Sequence, residues 1–514
     1  MQSSKVYLVG AGPGDPGLIT VRGAQCIEKA DVILYDRLVN PWVLQNRKES
    51  CELIWVGKAP NRHALEQDEI NRLLVEKARE GKTVVRLKGG DPYVFGRGGE
   101  EALALADAGI EFEVVPGVTA ATGSAAYAGI PVTHRGISAT LMIATGHEDP
   151  AKAEGIVDWV RVGAAGGTVA AYMGVKNLAA VAGGLMKGGM PPDTPACVIQ
   201  EGTWACQRTI VGTVATIAGL AAKEGIEPPA VTILGEVVRL REKLKWFETR
   251  PLFGKQVVVT RAASQARDMI DGLMELGAEM IEFPTIRIEP LDEWRSVDDA
   301  IENLRRFDWI IFTSVNGVDA FLRRLVALGR DARALHGIRL CAIGSATGKR
   351  LATYYLKVDC QPEEFISKEI VFALEKHGGV RAKTFLVPRA DIAPPELPDA
   401  IRALGGCVND IAVYRTVRAA GREEGVLIYE DVFKNAKATY VTFTSSSTAR
   451  NFALCFSDGQ MRDIAAKARI ASIGPVTSET LREVGLPPRI EANEHTNEGL
   501  IRAILEDAAA LRTR

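Results

Sequence analysis

The first segment of the sequence that could do chemistry is a glycine-rich turn directly after an apolar strand pattern. Residues Gly12–Gly17 match the G-x-G-x-x-G pattern of dinucleotide-binding turns, and Asp36 lies nineteen residues further along. Such a turn works by directing backbone N–H groups at a pyrophosphate, but Pro13 and Pro16 have no N–H to offer. We therefore predict a tight turn in close contact with a ligand that need not be a phosphate.

Two more segments carry residues suited to ligand binding. Residues Gly89–Asp91 follow a predicted strand, so that two glycines expose the backbone and a carboxylate can accept hydrogen bonds from amino or hydroxyl groups. Three cations crowd the same segment: Arg86, Lys88 and Arg97. Together they predict a patch that holds an anion. The small residues of segment 115–123 would let a helix begin close against a ligand.

The elements that position these segments alternate along the first part of the chain. The predicted strands are Val6–Val9, Val32–Tyr35, Leu53–Val56, Thr83–Leu87 and Phe112–Val115. Helical patterns lie near Leu18–Lys29, Glu66–Glu80 and Gly99–Ala108. This alternation predicts a mainly parallel sheet covered on both faces. A second lobe of the same style is predicted from strand patterns at Thr140–Ala144, Thr168–Tyr172, Ala196–Gln200 and Ala230–Leu234.

The second part of the chain contains a faint internal repeat. V-T-R-A at 259–262 recurs as V-P-R-A at 387–390, F-T-S at 312–314 recurs at 443–445, and I-G-x-x-T at 343–347 recurs at 473–477. The three offsets, 128, 131 and 130 residues, agree with one another. They predict two similar α/β lobes of about 130 residues each.

Polar residues of the repeat would lie where a strand ends and a helix begins. They are Arg261, Ser314 and Thr347 in one lobe and Arg389, Ser445 and Thr477 in the other. Open α/β sheets bind ligands at the carboxyl ends of their strands, and helix N-termini favour anions. The paired pattern therefore predicts a cleft between the lobes for an anionic ligand. For any single Ser or Thr, the alternative is a helix cap.

Composition and charge exclude several classes of protein. Of the 514 residues, 47% are hydrophobic and 25% are charged, which is enough apolar material to bury cores and argues against a mainly disordered chain. Lys and Arg total 62 and Asp and Glu total 64, so bulk attraction to nucleic acid or anionic membranes is not supported. The uncharged run 114–133 is broken by Pro, Gly and hydroxyl residues, unlike a membrane span.

The cysteines and the first residues of the sequence indicate in which cellular compartment the protein is expected. None of the eight cysteines forms a C-x-x-C pair, which argues against a zinc site and favours free thiols in a reducing cytoplasm. The first ten residues do not have the pattern of a signal peptide. We predict a cytoplasmic protein without a metal.

The three ligand-binding segments together resemble the uroporphyrinogen-III C-methyltransferase family of tetrapyrrole methylases. The resemblance covers about residues 5–247 and rests on G-A-G-P-G-D-P at 10–16 combined with G-G-D-P-x-x-F-G-R-G-G-E-E at 89–101. It implies S-adenosylmethionine as the cofactor and a fold that differs from the common Rossmann-like methyltransferases. One departure is Thr203-Trp204-Ala205-Cys206, where Trp and Cys are unusual for the family.

The same resemblance implies roles for individual residues. Asp36 would be the proton acceptor and Lys58 the proton donor. The implied cofactor contacts are Pro13, Gly89, Gly90, Asp91, Val94, Thr119, Ala120, Met173 and Gly202. The substrate of the family is a polycarboxylate, and cations that could clamp it are Arg37, Arg97, His134 and Arg135. For any one of these cations, a surface salt bridge is the alternative.

Residues 254–514 resemble uroporphyrinogen-III synthase. The matching segments include F-T-S-V-N-G-V at 312–318, F-T-S-S-S-T-A-R-N-F at 443–452 and S-I-G-P-V-T-S-E-T-L at 472–481. That family closes linear hydroxymethylbilane and inverts its last pyrrole ring. By this resemblance Tyr414 would assist loss of the hydroxyl, and Thr347 and Thr477 would contact the substrate. An interdomain packing role is the alternative for Tyr414.

The two resemblances imply one α/β protein with two linked activities. A methyltransferase of two lobes, about 1–115 and 117–247, would be joined through a linker at 248–253 to a two-lobed synthase at 254–514. Because the product of the second part would be the substrate of the first, we expect cyclisation to uroporphyrinogen III and then two methylations to precorrin-2. The expected partners are small-molecule tetrapyrroles and, through the methyltransferase part, a second copy of the chain, with no nucleic acid or membrane.

Two alternatives remain at this point. One is an NAD-dependent dehydrogenase that uses the Gly12–Gly17 loop with Asp36 on the ribose. The other is a methyltransferase whose C-terminal half is a non-catalytic, tetrapyrrole-binding regulatory module.

Overall fold

The computed structural model describes residues 5–57, 65–146, 157–261, 263–362, 367–434 and 439–512. The chain divides into two compact units. The first comprises Met1–Val257, Asp271–Met280 and Leu505–Arg514, and the second comprises Val258–Ile270 and Ile281–Ile504. Strands of the described residues form four five-stranded sheets between helices, which confirms the α/β class.

The first sheet is parallel, as the sequence predicts. Its strands are β1 (Val6–Gly10), β2 (Val32–Tyr35), β3 (Glu52–Trp55), β4 (Val84–Lys88) and β5 (Phe112–Val115), in the order β3-β2-β4-β1-β5. Each neighbouring pair is parallel. The helices are α1 (Val21–Lys29), α2 (Gln67–Arg79), α3 (Gly98–Asp107) and α4 (Ala120–Tyr127). Apolar clusters on the two faces of the sheet bury its side chains, which explains the nearly continuous apolar runs of its strands.

The strand order brings the predicted ligand-binding segments to one edge. The carboxyl ends of β1 and β4 are neighbours, and those of β2 and β5 flank them. The loops that leave these strands therefore meet, although they are separated by up to a hundred residues in sequence. This is the edge at which open α/β sheets bind ligands.

The second sheet is mixed rather than parallel. Its strands are β6 (Leu141–Thr145), β7 (Thr168–Tyr172), β8 (Pro195–Gln200), β9 (Arg208–Thr213) and β10 (Ala230–Leu234), in the order β6-β7-β10-β8-β9. Only β6 and β7 pair in parallel. The helices are α5 (Trp159–Ala165), α6 (Leu178–Lys187), α7 (Ile217–Lys223) and α8 (Arg241–Leu244). Strand β9 was not predicted because its side chains are half-buried or exposed at the sheet edge and lack a clear apolar alternation.

Two further sheets follow in the C-terminal part of the chain. One has the order β12-β11-β18-β19-β20 and the other the order β13-β17-β16-β14-β15. The strands are β11 (Gln256–Val259), β12 (Glu279–Glu282), β13 (Ile286–Glu289), β14 (Trp309–Phe312), β15 (Arg339–Ala342), β16 (Thr384–Ala390), β17 (Cys407–Arg418), β18 (Thr439–Phe443), β19 (Arg469–Ser472) and β20 (Ile490–Glu491). The helices are α9 (Ala263–Glu275), α10 (Arg295–Glu302), α11 (Val315–Ala327), α12 (Ser345–Thr353), α13 (Ser367–Lys376), α14 (Glu396–Ala403), α15 (Arg422–Ile428), α16 (Ser446–Ala453), α17 (Asp458–Lys467), α18 (Pro475–Glu483) and α19 (Asn497–Arg512).

The sequence repeat corresponds to equivalent positions in these two sheets. Ser314 lies between β14 and α11, and Ser445 lies between β18 and α16. Gly344 and Gly474 likewise separate a strand from the helix that follows it. The offsets of about 130 residues thus reflect two strand-to-helix turns that occur once in each sheet.

None of the helices in the described ranges is long and apolar enough to cross a membrane. No cluster of three or more His, Cys, Asp or Glu side chains suited to a metal ion occurs in the same ranges.

Candidate active site

Two glycine-rich loops are joined where they leave neighbouring strands. The backbone N–H of Gly12 donates to the carbonyl of Gly90 (3.2 Å), and the N–H of Gly90 donates to the carbonyl of Gly12 (2.7 Å). A Cβ atom on Gly10 would lie 2.6 Å from Gly90 O and 2.6 Å from both Gly117 N and Cα. Since real Cβ atoms do not approach backbone so closely, three loops meet here only because these positions are glycines.

Hydrogen bonds within the first loop argue against a pyrophosphate cradle. The Ala11 N–H donates to Lys88 O, the Asp15 N–H to Thr203 Oγ1, and the Gly17 N–H to the Asp15 carboxylate. With two prolines in the same loop, few N–H groups are left for an anion. These hydrogen bonds instead fix the loop beside the loop after β4 and the segment that contains Thr203.

Gly90 leaves open space beside the start of α4, and this space is called the pocket below. It has φ +69°, and a Cβ built on it would meet only Ala120 N, at 3.9 Å. The Asp91 carboxylate beside it accepts from the N–H groups of Gly117 (3.0 Å) and Tyr93 (2.8 Å), so this side chain ties the loop after β4 to the loop after β5. Gly89 packs against Leu38, on the loop after β2.

The start of α4 faces the same space and is held by a tyrosine from the second sheet. The Tyr172 hydroxyl accepts from the Ala121 N–H (2.6 Å) and lies 2.6 Å from Thr119 Oγ1. Its ring contacts Phe95, with centroids 5.2 Å apart. Burial raises the pKa of Tyr172, which keeps the hydroxyl protonated. Sequence analysis missed Tyr172, although its place at the end of a predicted strand was a usable signal.

The loop 201–207 packs against α4 and the first glycine-rich loop. Gly202 packs against the Ser124 side chain, and the Trp204 indole contacts Gly14, so a Cβ at either glycine would clash. Thr203 is buried, and its backbone N–H donates to Gln207 Oε1 (2.9 Å). The Trp204 that departs from the family pattern thus fills the space beside the first glycine-rich loop.

Backbone strain is concentrated on the same loops. Five of the seven non-glycine residues with positive φ in the described ranges lie there: Phe95, Arg97, Met173, Glu201 and Thr203. Such conformations cost about 1–3 kcal/mol each and often mark functional sites. Met173, an implied cofactor contact, has φ +53° and an exposed side chain. Pro13 and Val94 are half-buried on these loops.

Asp36 lies at the carboxyl end of β2, at the same edge of the sheet. Its Oδ1 accepts from the Leu38 N–H (3.1 Å), and its Oδ2 lies 3.4 Å from Arg86 Nη2. The side chain is partly exposed, so a ligand at the sheet edge can reach it. Lys58, the implied proton donor, lies outside the described residues.

The prediction that Arg86, Lys88 and Arg97 form an anion-binding patch is wrong for Arg86 and Lys88. Arg86 and Lys88 are each only 4% exposed, because every residue of β4 is buried. The two side chains lie on the same face of the strand, where both bind the buried Glu101. Arg97 is exposed and pairs with Glu100 (2.7 Å). The other candidate cations, Arg37, His134 and Arg135, are all exposed.

In the C-terminal part, Tyr414 and Ser314 lie together. The Tyr414 hydroxyl is 3.1 Å from Ser314 Oγ, while its ring packs in the apolar core of its sheet. Burial lowers the pKa of the Arg261 guanidinium, and the nearby Tyr414 phenol opposes that shift. A half-buried cation, a phenol and a hydroxyl therefore lie in the same region of the C-terminal part.

Several other predicted residues have structural partners. Ser314 caps α11 by accepting from the Gly317 N–H (3.1 Å), and Ser445 caps α16 by accepting from the Thr448 N–H (3.4 Å), so the helix-cap alternative holds for both. Arg389 binds both oxygens of Asp410 through a fork (2.6 and 2.5 Å) and donates to Pro394 O. Thr347 and Thr477 are buried in the first turns of α12 and α18.

Two protein families match successive parts of the chain. Residues 5–218 match the family described as Tetrapyrrole (Corrin/Porphyrin) Methylases, and residues 267–502 match the family described as Uroporphyrinogen-III synthase HemD. The "Porphyrin biosynthesis protein HemD" of Ruminiclostridium josui is 37% identical over 508 residues, which are 98% of this chain and 98% of that protein.

Two relatives match mainly the first part. The "S-adenosyl-L-methionine-dependent uroporphyrinogen III methyltransferase" of Methanosarcina barkeri is 54% identical over 240 residues, 47% of this chain and 94% of that protein. The "Uroporphyrinogen-III C-methyltransferase" of Bacillus subtilis is 43% identical over 337 residues, 65% of this chain and 68% of that protein.

The chain therefore belongs to the tetrapyrrole methylases in its N-terminal part and to the uroporphyrinogen-III synthases in its C-terminal part. It is a bifunctional enzyme of tetrapyrrole biosynthesis, with an S-adenosylmethionine-dependent uroporphyrinogen-III C-methyltransferase and a uroporphyrinogen-III synthase. This family membership and the hydrogen-bonded Gly12–Gly17 loop remove the dehydrogenase alternative.

Proposed function

We propose that the synthase converts hydroxymethylbilane to uroporphyrinogen III and that the methyltransferase adds two methyl groups to that product, giving precorrin-2. The observation that carries the methyltransferase assignment is the pocket at Gly90 and Ala120, with Asp36 at the same sheet edge. We assign the methyltransferase to 1–247, the linker to 248–253 and the synthase to 254–514.

The pocket suits S-adenosylmethionine. Gly90 offers open space and exposed backbone beside the N-terminus of α4, where Thr119 and Ala120 lie. Pro13 and Gly202 border the space through the packing of Gly123 and Ser124. We propose that the cofactor contacts these residues together with Gly89, Asp91, Val94 and Met173. When bound, it supplies the electrophilic methyl group.

Asp36 is proposed to act on the substrate. Positive charge develops on the reduced pyrrole as its carbon is methylated, and a carboxylate at the sheet edge stabilises that charge and accepts the departing proton. Lys58 is proposed as the proton donor. The exposed cations Arg37, Arg97, His134 and Arg135 are proposed to bind carboxylates of the substrate.

In the synthase, holding the chain in a folded shape is proposed to be the main task. Arg261 and the helix starts at Ser314, Thr347, Ser445 and Thr477 are proposed to bind substrate carboxylates. Burial disfavours the Arg261 charge, so an anion bound beside it would be favoured. Arg389 is occupied by Asp410, and we propose that it supports the site from within the fold.

We expect Tyr414→Phe to slow cyclisation by about tenfold, because a hydrogen bond worth about 1–1.5 kcal/mol is lost. The spontaneous type-I isomer should then form a larger share of the product. Initial rates and isomer ratios after oxidation measure this. The matched control is Tyr429→Phe, which removes a hydroxyl bound to Asp463 in the same unit. An unchanged rate and isomer ratio in Tyr414→Phe would remove Tyr414 from the mechanism and leave it a packing role.

The number of methyl groups can be counted directly. The protein is incubated with authentic uroporphyrinogen III and excess S-adenosylmethionine, and the mass of the oxidised product is measured by mass spectrometry. The proposal predicts a product two methyl groups heavier than uroporphyrin. Accumulation of a singly methylated end product would contradict precorrin-2.

The remaining proposals concern assembly and location. The eight cysteines are free thiols, which is consistent with a reducing cytoplasm. We further propose a homodimer through the methyltransferase part, which light scattering of the purified chain would test.

A further inference from the structure

A buried charge cluster lies beneath the sheet edge that carries Asp36. Arg86 and Lys88 on β4 are each 4% exposed, and Glu101 on α3 is fully buried. Glu101 Oε1 accepts from Arg86 Nε (3.0 Å), Lys88 Nζ (2.8 Å) and Gln67 Nε2 (3.3 Å). None of these atoms belongs to the pocket described above.

The cluster has one more cation than anion. Burial, together with the neighbouring Arg86 charge, lowers the pKa of Lys88, so positive charge is already disfavoured there. The nearest carboxylate that can compensate is Asp36, whose Oδ2 is 3.4 Å from Arg86 Nη2. The guanidinium thus connects a buried carboxylate to the carboxylate at the sheet edge.

Arg86 is itself held rigidly. Its Nη1 donates to the carbonyl of Leu87 (3.0 Å), its Nε is fixed by Glu101, and only Nη2 reaches toward Asp36. Asp36 is bound on its other oxygen by the Leu38 N–H (3.1 Å). Both oxygens of the carboxylate are therefore oriented, one by backbone and one by a side chain that is anchored inside the fold.

We propose that Arg86, anchored by Glu101, is a positioning residue that orients the Asp36 carboxylate for methyl transfer. This inference rests on the proposed role of Asp36. Buried ion pairs contribute little net stability, because desolvation offsets their attraction. The effect of this cluster is instead expected in the orientation of Asp36, because its Oδ2 lies 3.4 Å from Nη2 of the anchored guanidinium.

The test compares Arg86→Gln, Arg86→Lys and Asp36→Asn in the full chain, with Arg22→Gln as a matched control. Arg22 is an exposed cation that pairs with Glu113 on the same sheet. Each variant is assayed for the kcat of methylation of uroporphyrinogen III, for the KM of S-adenosylmethionine, and for cyclisation of hydroxymethylbilane.

We expect Arg86→Gln to lower kcat for methylation by about 10–100-fold, because Asp36 Oδ2 loses the anchored guanidinium that orients it. The KM of S-adenosylmethionine and the cyclisation rate should stay within about twofold, as in Arg22→Gln. Arg86→Lys should leave kcat about tenfold low, because lysine keeps the charge and loses the fork.

Two outcomes distinguish a failure of this inference from a failure of the proposed role of Asp36. Full methylation by Asp36→Asn would overturn the role of Asp36 and the inference with it. An inactive Asp36→Asn together with unaltered kcat in Arg86→Gln would overturn the inference alone. If Arg86→Gln does not fold, Arg86→Lys decides, since unaltered kcat in that variant would contradict orientation by the guanidinium.

Discussion

Asp36→Asn is expected to lower methylation by about 10²–10⁴-fold while cyclisation stays unchanged. Asparagine has nearly the shape of aspartate, and its side-chain oxygen can still accept from the Leu38 N–H. It carries no negative charge to stabilise the developing cation, and it does not accept the departing proton. The two activities are measured on the same preparation, with uroporphyrinogen III for one and hydroxymethylbilane for the other.

The matched control for this variant is Asp68→Asn, an exposed carboxylate in the first turn of α2. It should retain both activities. Equal loss of methylation and cyclisation in Asp36→Asn would contradict independent sites. Retained methylation would show that another group accepts the proton.

Gly10→Ala is expected to abolish cofactor binding and to reduce methylation by more than about 100-fold. The new Cβ would lie 2.6 Å from Gly90 O and 2.6 Å from Gly117 N and Cα, and all three are backbone atoms. Because backbone cannot rotate out of the way as a side chain can, the three loops must separate. Titration calorimetry with S-adenosylhomocysteine measures the loss directly.

Gly183→Ala is the control for this substitution. Gly183 lies in α6 of the same unit, and a Cβ there meets nothing within 4 Å. This variant should bind the cofactor as the unaltered protein does, and it should be slightly more stable because alanine favours helix by about 1 kcal/mol. Normal binding by Gly10→Ala would place the cofactor elsewhere.

Much of the fold follows from local patterns. The strand Val32–Tyr35 was predicted with its observed bounds, because an apolar run buried on both faces leaves a clear signal. The mixed second sheet was not predicted, since strand direction depends on the connections and β9 has no apolar alternation. The repeat in the C-terminal part was visible because its strand-to-helix turns keep the same residue types.

The site was predicted less completely than the fold. Glycine motifs identified the loops that form the pocket, but the contact among Gly10, Gly90 and Gly117 is a tertiary feature without a local signature. Arg86 and Lys88 were expected to face an anion. Their partner Glu101 belongs to a different element, α3, so only the packing of α3 on β4 reveals that Arg86 and Lys88 are buried.

The central claim is that one chain carries both activities, and a single assay tests it most directly. Purified protein is given hydroxymethylbilane with and without S-adenosylmethionine, and the oxidised products are separated by isomer and mass. We predict type-III uroporphyrin without the cofactor and a product two methyl groups heavier with it. Type-I uroporphyrin alone without the cofactor would contradict a working synthase, and an unchanged mass with it would contradict the methyltransferase.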